Sequence, residues 1–252
     1  MIEIQRDGPV AIVKFNRGEK QNAFNQALIA RLTETARRLG SDLEVQAVVL
    51  TGTTAAFSAG MDLDDAMLCD DDASDLERRE MYASGVRLCR AWETLPQVTI
   101  AAIDGFSVGA GVALGLACDW RVIADDAFLY VPEVKIGINL QWGALPRLIS
   151  LVGPAKAKRI CLLCEKLAAR DALEWGLVDY VAEPAGALAQ AVTVAHTVCE
   201  RPAVTVRMVK EAVNATANAL HHVSSFADAD QSQLSGQFAA ARQARADFLD
   251  KK

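Results

Sequence analysis

Apolar and polar positions fall in short blocks whose period changes along the chain. Residues 2–5 and 10–15 alternate or run apolar around Arg6-Asp7-Gly8-Pro9, which predicts a hairpin. Residues 16–25 are a polar loop. Asn25 can cap a following helix, with Leu28, Leu32, Ala36 and Leu39 on one face and Gly40 at its end. Residues 44–51 and 98–103 read as buried strands. Each is followed by a glycine turn, Phe-Ser, a small residue and Gly, a weak internal repeat at 45–60 and 98–111 that supplies two backbone turns able to face one ligand. A helix is predicted from about 76 to 95. Gly109-Ala110-Gly111 then opens residues 112–118, which are small and apolar on every side and predict a short buried helix. Free backbone N–H groups at such a start can hold an oxygen carrying negative charge. A strand is predicted at 120–124, residues 127–132 follow it, and the lone carboxylate of Glu133 comes next. Further on, 144–151 and 155–164 pattern as helices, with Pro154 suited to a first turn. Helix 168–175, Gly176 as its cap, strand 177–181 and helix 186–200 complete a mixed α/β region. Arg201-Pro202 is a break, after which 203–219 and 226–249 are alanine-rich and helical. The division expected is a core of residues 1–200 and a C-terminal helical layer, 201–252, for oligomerisation.

Composition narrows the function classes. The chain has 252 residues, 52% hydrophobic and 23% charged, which suits one large soluble domain. Its net charge of -6, with a pI near 5.2, argues against broad attachment to nucleic acid or anionic lipid. No apolar run reaches membrane-spanning length and the N-terminus has no signal-peptide pattern, so no membrane partner and a cytoplasmic location are expected. Six cysteines lie scattered among mostly apolar neighbours, which favours reduced thiols over a disulfide framework. Cys161 and Cys164 form one close pair with no second pair to complete a zinc site, and the acidic stretch 62–80 lacks the spacing of a calcium loop; no metal is expected. That stretch reads as a solvated segment.

From the residues alone, three readings of the centre compete. The spacing Gly109, Gly111, Gly115 after a strand resembles a dinucleotide fingerprint, but the helix is too short for a βαβ crossover. The glycines could also serve close packing only, with Glu133 an ordinary residue after Pro132. The third reading is an anion site with a carboxylate beside it.

Motif order decides among them. Asn16-Arg-Gly-Glu-Lys-Gln-Asn-Ala-Phe-Asn25, Phe57-Ser-Ala-Gly-Met-Asp-Leu63, Ala102-Ile-Asp-Gly-Phe-Ser-Val-Gly-Ala-Gly111, Cys118-Asp119, Pro132-Glu-Val-Lys-Ile-Gly137 and Ala172-Leu-Glu-Trp-Gly-Leu-Val-Asp179 together resemble the crotonase, or enoyl-CoA hydratase/isomerase, superfamily over essentially the whole length. The resemblance implies a spiral of repeated ββα units, a C-terminal helical trimerisation region, and a homotrimer or dimer of trimers. It implies an acyl-CoA thioester as substrate, with coenzyme A part of that substrate and no separate cofactor. By motif position, the backbone N–H groups of Ala59 and Ala110 are expected to form an oxyanion hole, with Glu133 as the acid/base. Lys20, Asn22, Ala23, Met61, Asp62 and Leu63 are expected on the coenzyme A side, Asp62 in a structural or coenzyme-side role. Contacts from Lys251 or Lys252 of a neighbouring subunit are conceivable.

One departure directs the choice of reaction. Hydratases of the family carry a second glutamate where this chain has Ala113. An alanine cannot orient or deprotonate water, whereas one base suffices to move a proton from C2 to C4 of an enoyl thioester. The expected activity is therefore Δ3,Δ2-enoyl-CoA isomerisation by Glu133. The alternatives are hydration with a carboxylate from the 62–72 segment, a lyase or hydrolase of the same superfamily, and a CoA-thioester-binding protein with little turnover. Trp142 is expected either to shape the acyl pocket or to pack in the core.

Overall fold

The computed structural model describes residues 1–65 and 72–249. Strands β1 (Ile2–Asp7) and β2 (Val10–Phe15) form the antiparallel hairpin, Ile4 opposite Val13, with Gly8 at φ +56° in the turn. Its tight reversal is the reason for a glycine there. Helix α1 (Gln26–Gly40) starts at Asn25, whose side chain accepts the Leu28 N–H, and it carries Gly40 inside its last turn. Strand β3 (Ala47–Thr51), helix α2 (Asp75–Glu93) and strand β4 (Val98–Ile103) follow, α2 opening with a reciprocal Ser74–Glu77 capping box. Strand β5 (Phe106–Val108), helix α3 (Ala110–Leu116), β6 (Trp120–Ala124) and β7 (Phe128–Tyr130) make the central stretch.

The rest is mostly helical. Helix α4 (Ala144–Leu163) is broken at Gly153, φ +75° and ψ +166°, so Pro154 opens its second half as the sequence predicts. Strand β8 (Leu167–Ala168), α5 (Ala169–Glu174), β9 (Tyr180–Ala182) and α6 (Ala187–Cys199) complete the core. After Pro202 come α7 (Ala203–Ala217), α8 (His221–Ser225), α9 (Asp228–Gly236) and α10 (Ala239–Leu249).

The strands form two sheets. The larger has the order β1-β2-β3-β4-β6-β9, parallel throughout except for the hairpin, and the smaller has the order β5-β7-β8. β3 and β4 are buried at every position, which is why they read as continuous apolar runs rather than alternating ones. The chain leaves the larger sheet through β5 and returns through α3 to β6, which pairs in parallel with β4. That excursion rules out the dinucleotide arrangement. It also makes a strand of residues 106–108, which sequence shows only as part of a turn, because three residues between positive-φ Gly105 and Gly109 are too few to display a period. β9 lies later than expected. Leu177 and Val178 instead fold back onto the Ala172 carbonyl behind α5.

The two repeated glycine turns meet. Ser58 and Ser107 form a parallel bridge, and Val108 N–H donates to the Ser58 carbonyl at 2.9 Å. The C-terminal helices are not wholly a separate layer. A methyl group on Gly137 would come within 2.4 Å of Ala241 Cα, so α10 rests directly on the turn that carries Glu133. Arg79 of α2 and Asp230 of α9 pair at 2.9 Å, fastening the other helix across the same region.

Candidate active site

A cavity of about 660 Å³ lies between the two glycine turns, α2, the turn Glu133–Ile136 and the C-terminal helices. Its polar centre is built from backbone. Phe24 bridges Met61 by taking its flanking groups: Phe24 N–H donates to the Gly60 carbonyl at 2.7 Å and Asp62 N–H to the Phe24 carbonyl at 2.8 Å. Strand alternation then turns the Met61 N–H to the opposite side, where it has no acceptor among the described residues. Ala110 is the first residue of α3, so its N–H lacks an intrahelical partner and is likewise unpaired among the described residues. The two turns touch: a Cβ on Gly60 would sit 3.8 Å from the Ala110 nitrogen. Met61 and Ala110 both line the cavity.

Ala59 is different from expectation. Its N–H donates to the Gln21 carbonyl at 3.1 Å, so this donor is committed to the loop and is not available to a ligand. The free donor of that turn belongs to Met61, two residues on. Motif position alone could not distinguish them, because which N–H is free depends on what Phe24 and Gln21 do from a distant segment.

Glu133 follows Pro132 at the start of a short 3-10 turn whose end is set by left-handed Gly137, φ +76°. Its side chain is buried, and one carboxyl oxygen, Oε2, has no hydrogen-bond partner among the described residues. Burial pushes its carboxyl up to about 7, against a weaker pull from its own backbone N–H. The other oxygen lies over Gly109, where a Cβ would come within 2.5 Å of Oε1. Gly109, at φ +49° and ψ −108°, thus provides both the turn and the space for the carboxylate, and it immediately precedes the Ala110 donor. Ala113 lines the cavity one turn further along α3 and contributes only a methyl group.

The residues expected on the coenzyme side divide. Met61 and Leu63 line the cavity; Lys20, Asn22, Ala23 and Asp62 do not. Asn22 is buried, its amide donating to the Phe15 and Phe57 carbonyls at 3.1 and 2.8 Å and accepting from Arg17 N–H at 3.0 Å. Ala23 is buried and its carbonyl accepts from Arg17. Both are loop supports, a correction that follows from their saturated polar groups. Asp62 is buried under Arg17 and Lys20 at 2.7 and 3.0 Å. Burial disfavours its charge, but the hydrogen bonds from those two cations prevail and hold its carboxyl below the usual range. Lys20 is partly spent on Asp62 and Asp64. Residues 66–71 of the acidic stretch, and Lys251 and Lys252, lie outside the described residues.

Sequence reasoning missed the cations that do face the cavity: Arg78, Lys166, Arg242 and Arg245. Lys166 stands 4.4 Å over the Phe128 ring, and Arg245 donates to the Leu63 carbonyl at 3.0 Å. They come from α2, the segment before β8 and α10, so no local motif could join them. A larger cavity, about 840 Å³, lies against α7, but its buried cations Lys210 and Arg147 are matched by Asp119 and Glu93 at 2.6 and 2.7 Å. Among the described residues no group of His, Cys, Asp or Glu could hold a metal ion, and no helix is long and apolar enough to cross a membrane.

Comparison with known proteins identifies the family. The enoyl-CoA hydratase/isomerase family profile matches residues 5–252. A short-chain-enoyl-CoA hydratase of Clostridium acetobutylicum is 32% identical over 212 residues, covering 84% of this chain and 80% of that protein. A probable enoyl-CoA hydratase, echA6, of Mycobacterium tuberculosis is 37% identical over 197 residues, covering 78% and 76%. Among solved structures, an enoyl-CoA hydratase/isomerase from Mycobacterium paratuberculosis superposes with a TM-score of 0.89 at 26% identity, covering 98% of this chain and 97% of that one. DspI of Pseudomonas aeruginosa superposes with a TM-score of 0.80 at 26% identity over 100% and 94%. With a profile match over nearly all its length and two backbone turns converging beside a buried carboxylate, the chain belongs to the enoyl-CoA hydratase/isomerase family of the crotonase superfamily.

Proposed function

We propose that the protein is a Δ3,Δ2-enoyl-CoA isomerase in which Glu133 is the single acid/base and the N–H groups of Met61 and Ala110 form the oxyanion hole. The thioester carbonyl oxygen sits between the two donors. Glu133 removes a proton from C2, negative charge gathers on that oxygen, and the resulting dienolate takes the proton back at C4. Donors fixed before the reaction stabilise the charge only as it develops, so they lower the barrier more than they tighten substrate binding. A carboxylate titrating near 7 is strong enough to accept the proton and weak enough to return it. The observation that carries the choice is the pairing of buried Glu133, whose Oε2 has no partner among the described residues, with Ala113 in the same cavity: among the described residues no second carboxylate lines it to hold water. Arg78, Lys166, Arg242 and Arg245 supply positive charge for the phosphates of coenzyme A.

The relatives named enoyl-CoA hydratase favour hydration as the second reading. Incubation with a 3-enoyl-CoA and separately with a 2-enoyl-CoA, resolving 2-enoyl, 3-hydroxyacyl and free CoA by chromatography and mass spectrometry, separates the two. Interconversion of double-bond positions without water addition supports isomerase. Hydroxyacyl product supports hydratase, release of free CoA supports a hydrolase, and tight binding without product supports a thioester-binding protein.

Assembly is part of the same proposal. Val204, Met208, Val209 and Val213 on α7 are between 57% and 71% exposed, a stripe too apolar for a free surface. We assign it to contacts between copies in a trimer, for which sedimentation should return a multiple of three times the 27.1 kDa chain mass.

A further inference from the structure

Two buried polar oxygens in the cavity have no role in the proton transfer. Ser232 of α9 is wholly inaccessible to solvent and its Oγ has no partner among the described residues; Oε1 of Gln141 is buried and without a partner among them as well. Both residues line the cavity that holds Glu133. The fold runs their two segments along each other. Asp228 at the start of α9 accepts the Gly143 N–H at 2.9 Å, and a Cβ on Gly236 at its end would lie 3.9 Å from Ile138 Cγ2. Ser232 is one helical turn from each, on the same face. That face therefore runs along residues 138–143, and Gln141 lies between the two tie points.

A buried polar atom without a partner is costly, and folded proteins retain few of them. An alkyl chain packed against this wall would keep both oxygens orphaned. We propose that Ser232 and Gln141 form a polar subsite for a neutral hydrogen-bonding group, such as a hydroxyl, on the acyl portion of the substrate. A serine hydroxyl and a carboxamide each donate and accept, and a hydroxyl is their complement. A neutral group is specified because a second carboxylate would lie in one low-dielectric cavity with Glu133. The inference rests on the acyl-CoA assignment above and deepens it by naming the acyl class: hydroxylated rather than plain hydrocarbon chains.

Saturated thioesters test it without turnover. Calorimetric titration of the purified full-length chain compares hexanoyl-CoA with hydroxyhexanoyl-CoA bearing the hydroxyl at the fourth, fifth or sixth carbon. At least one hydroxylated ester is expected to bind about tenfold tighter than hexanoyl-CoA. Ser232→Ala and Gln141→Leu should each bring that ratio to within about threefold while hexanoyl-CoA affinity is kept or improved, a gain that damage to the fold would not produce. Equal affinity for all four esters, as expected if ordered water satisfies the two oxygens, overturns the subsite. So does a preference unchanged in both variants. Binding of none of the esters instead overturns the acyl-CoA assignment itself, and the subsite with it.

Discussion

The buried carboxyl of Glu133 should be a measurable burden on the fold, and its removal tests the electrostatics of the site directly. Well below pH 4.5 the group is protonated in both the folded and the unfolded chain and costs nothing. As pH rises from there through about 7, the unfolded chain ionises freely while burial holds the folded one back. Stability contributed by this group is thus present in acid and lost across that window. Moving the ionisation from 4.5 to about 7 costs the charged folded state about 3 kcal/mol. Glu133→Gln is neutral at every pH and keeps nearly the same shape. Its stability relative to the native chain should gain up to about 3 kcal/mol at about pH 8 and almost nothing at about pH 4.5. The assay is urea denaturation of both proteins at the two pH values, at one fixed protein concentration because assembly would shift the midpoint. The same variant should lose turnover while binding acyl-CoA within about tenfold of the native chain. A stability difference independent of pH would show that Glu133 ionises normally, and with it the account of a partly desolvated base would fall. Gain of stability with loss of activity is the signature expected of a group placed for chemistry.

Three further outcomes follow from the geometry. Met61→Pro, which deletes one oxyanion donor, should lower kcat by about a hundredfold or more, whereas Met61→Ala should stay within a few-fold of native because only the backbone is used; equal kcat values for the two variants would return the donor to another residue. Ala113→Glu should raise the rate of 3-hydroxyacyl-CoA formation from a 2-enoyl-CoA above that of the native chain, read by the same product analysis, since it supplies a second carboxylate in the cavity. A Cβ on Gly85 would come within 1.8 Å of the Trp142 indole. Gly85→Ala should therefore destabilise by about 1–3 kcal/mol in urea unfolding, and Trp142→Ala in the same background should recover part of the loss.

Much of the fold was legible because it rests on local rules. The hairpin about Gly8, the Asn25 cap, the continuous apolar runs of β3 and β4 and the break before Pro154 each depend on a few neighbouring residues. Glu133 was legible as well, since it follows a strand after a glycine turn and the family motifs surround it. Trp142 proved to do both things expected of it: it lines the cavity and packs edge-on against Phe24 at 5.8 Å between ring centroids. The expectations for Ala59, Asn22 and Ala23 failed for one shared reason. Whether a backbone N–H or a side-chain amide is free for a ligand depends on which distant group has already taken it.

The sequence by itself determined the elements, the two glycine turns and the presence of one carboxylate without the second. Those are matters of period, turn chemistry and residue identity, and they act over a few residues. Only the tertiary structure decided that the Ser58 and Ser107 turns lie side by side, that Phe24 leaves Met61 rather than Ala59 with a free donor, and that α9 and α10 close over the cavity with Ser232, Arg242 and Arg245. Hydrogen-bond saturation and burial are sums over the whole packed chain, and no window of sequence contains them.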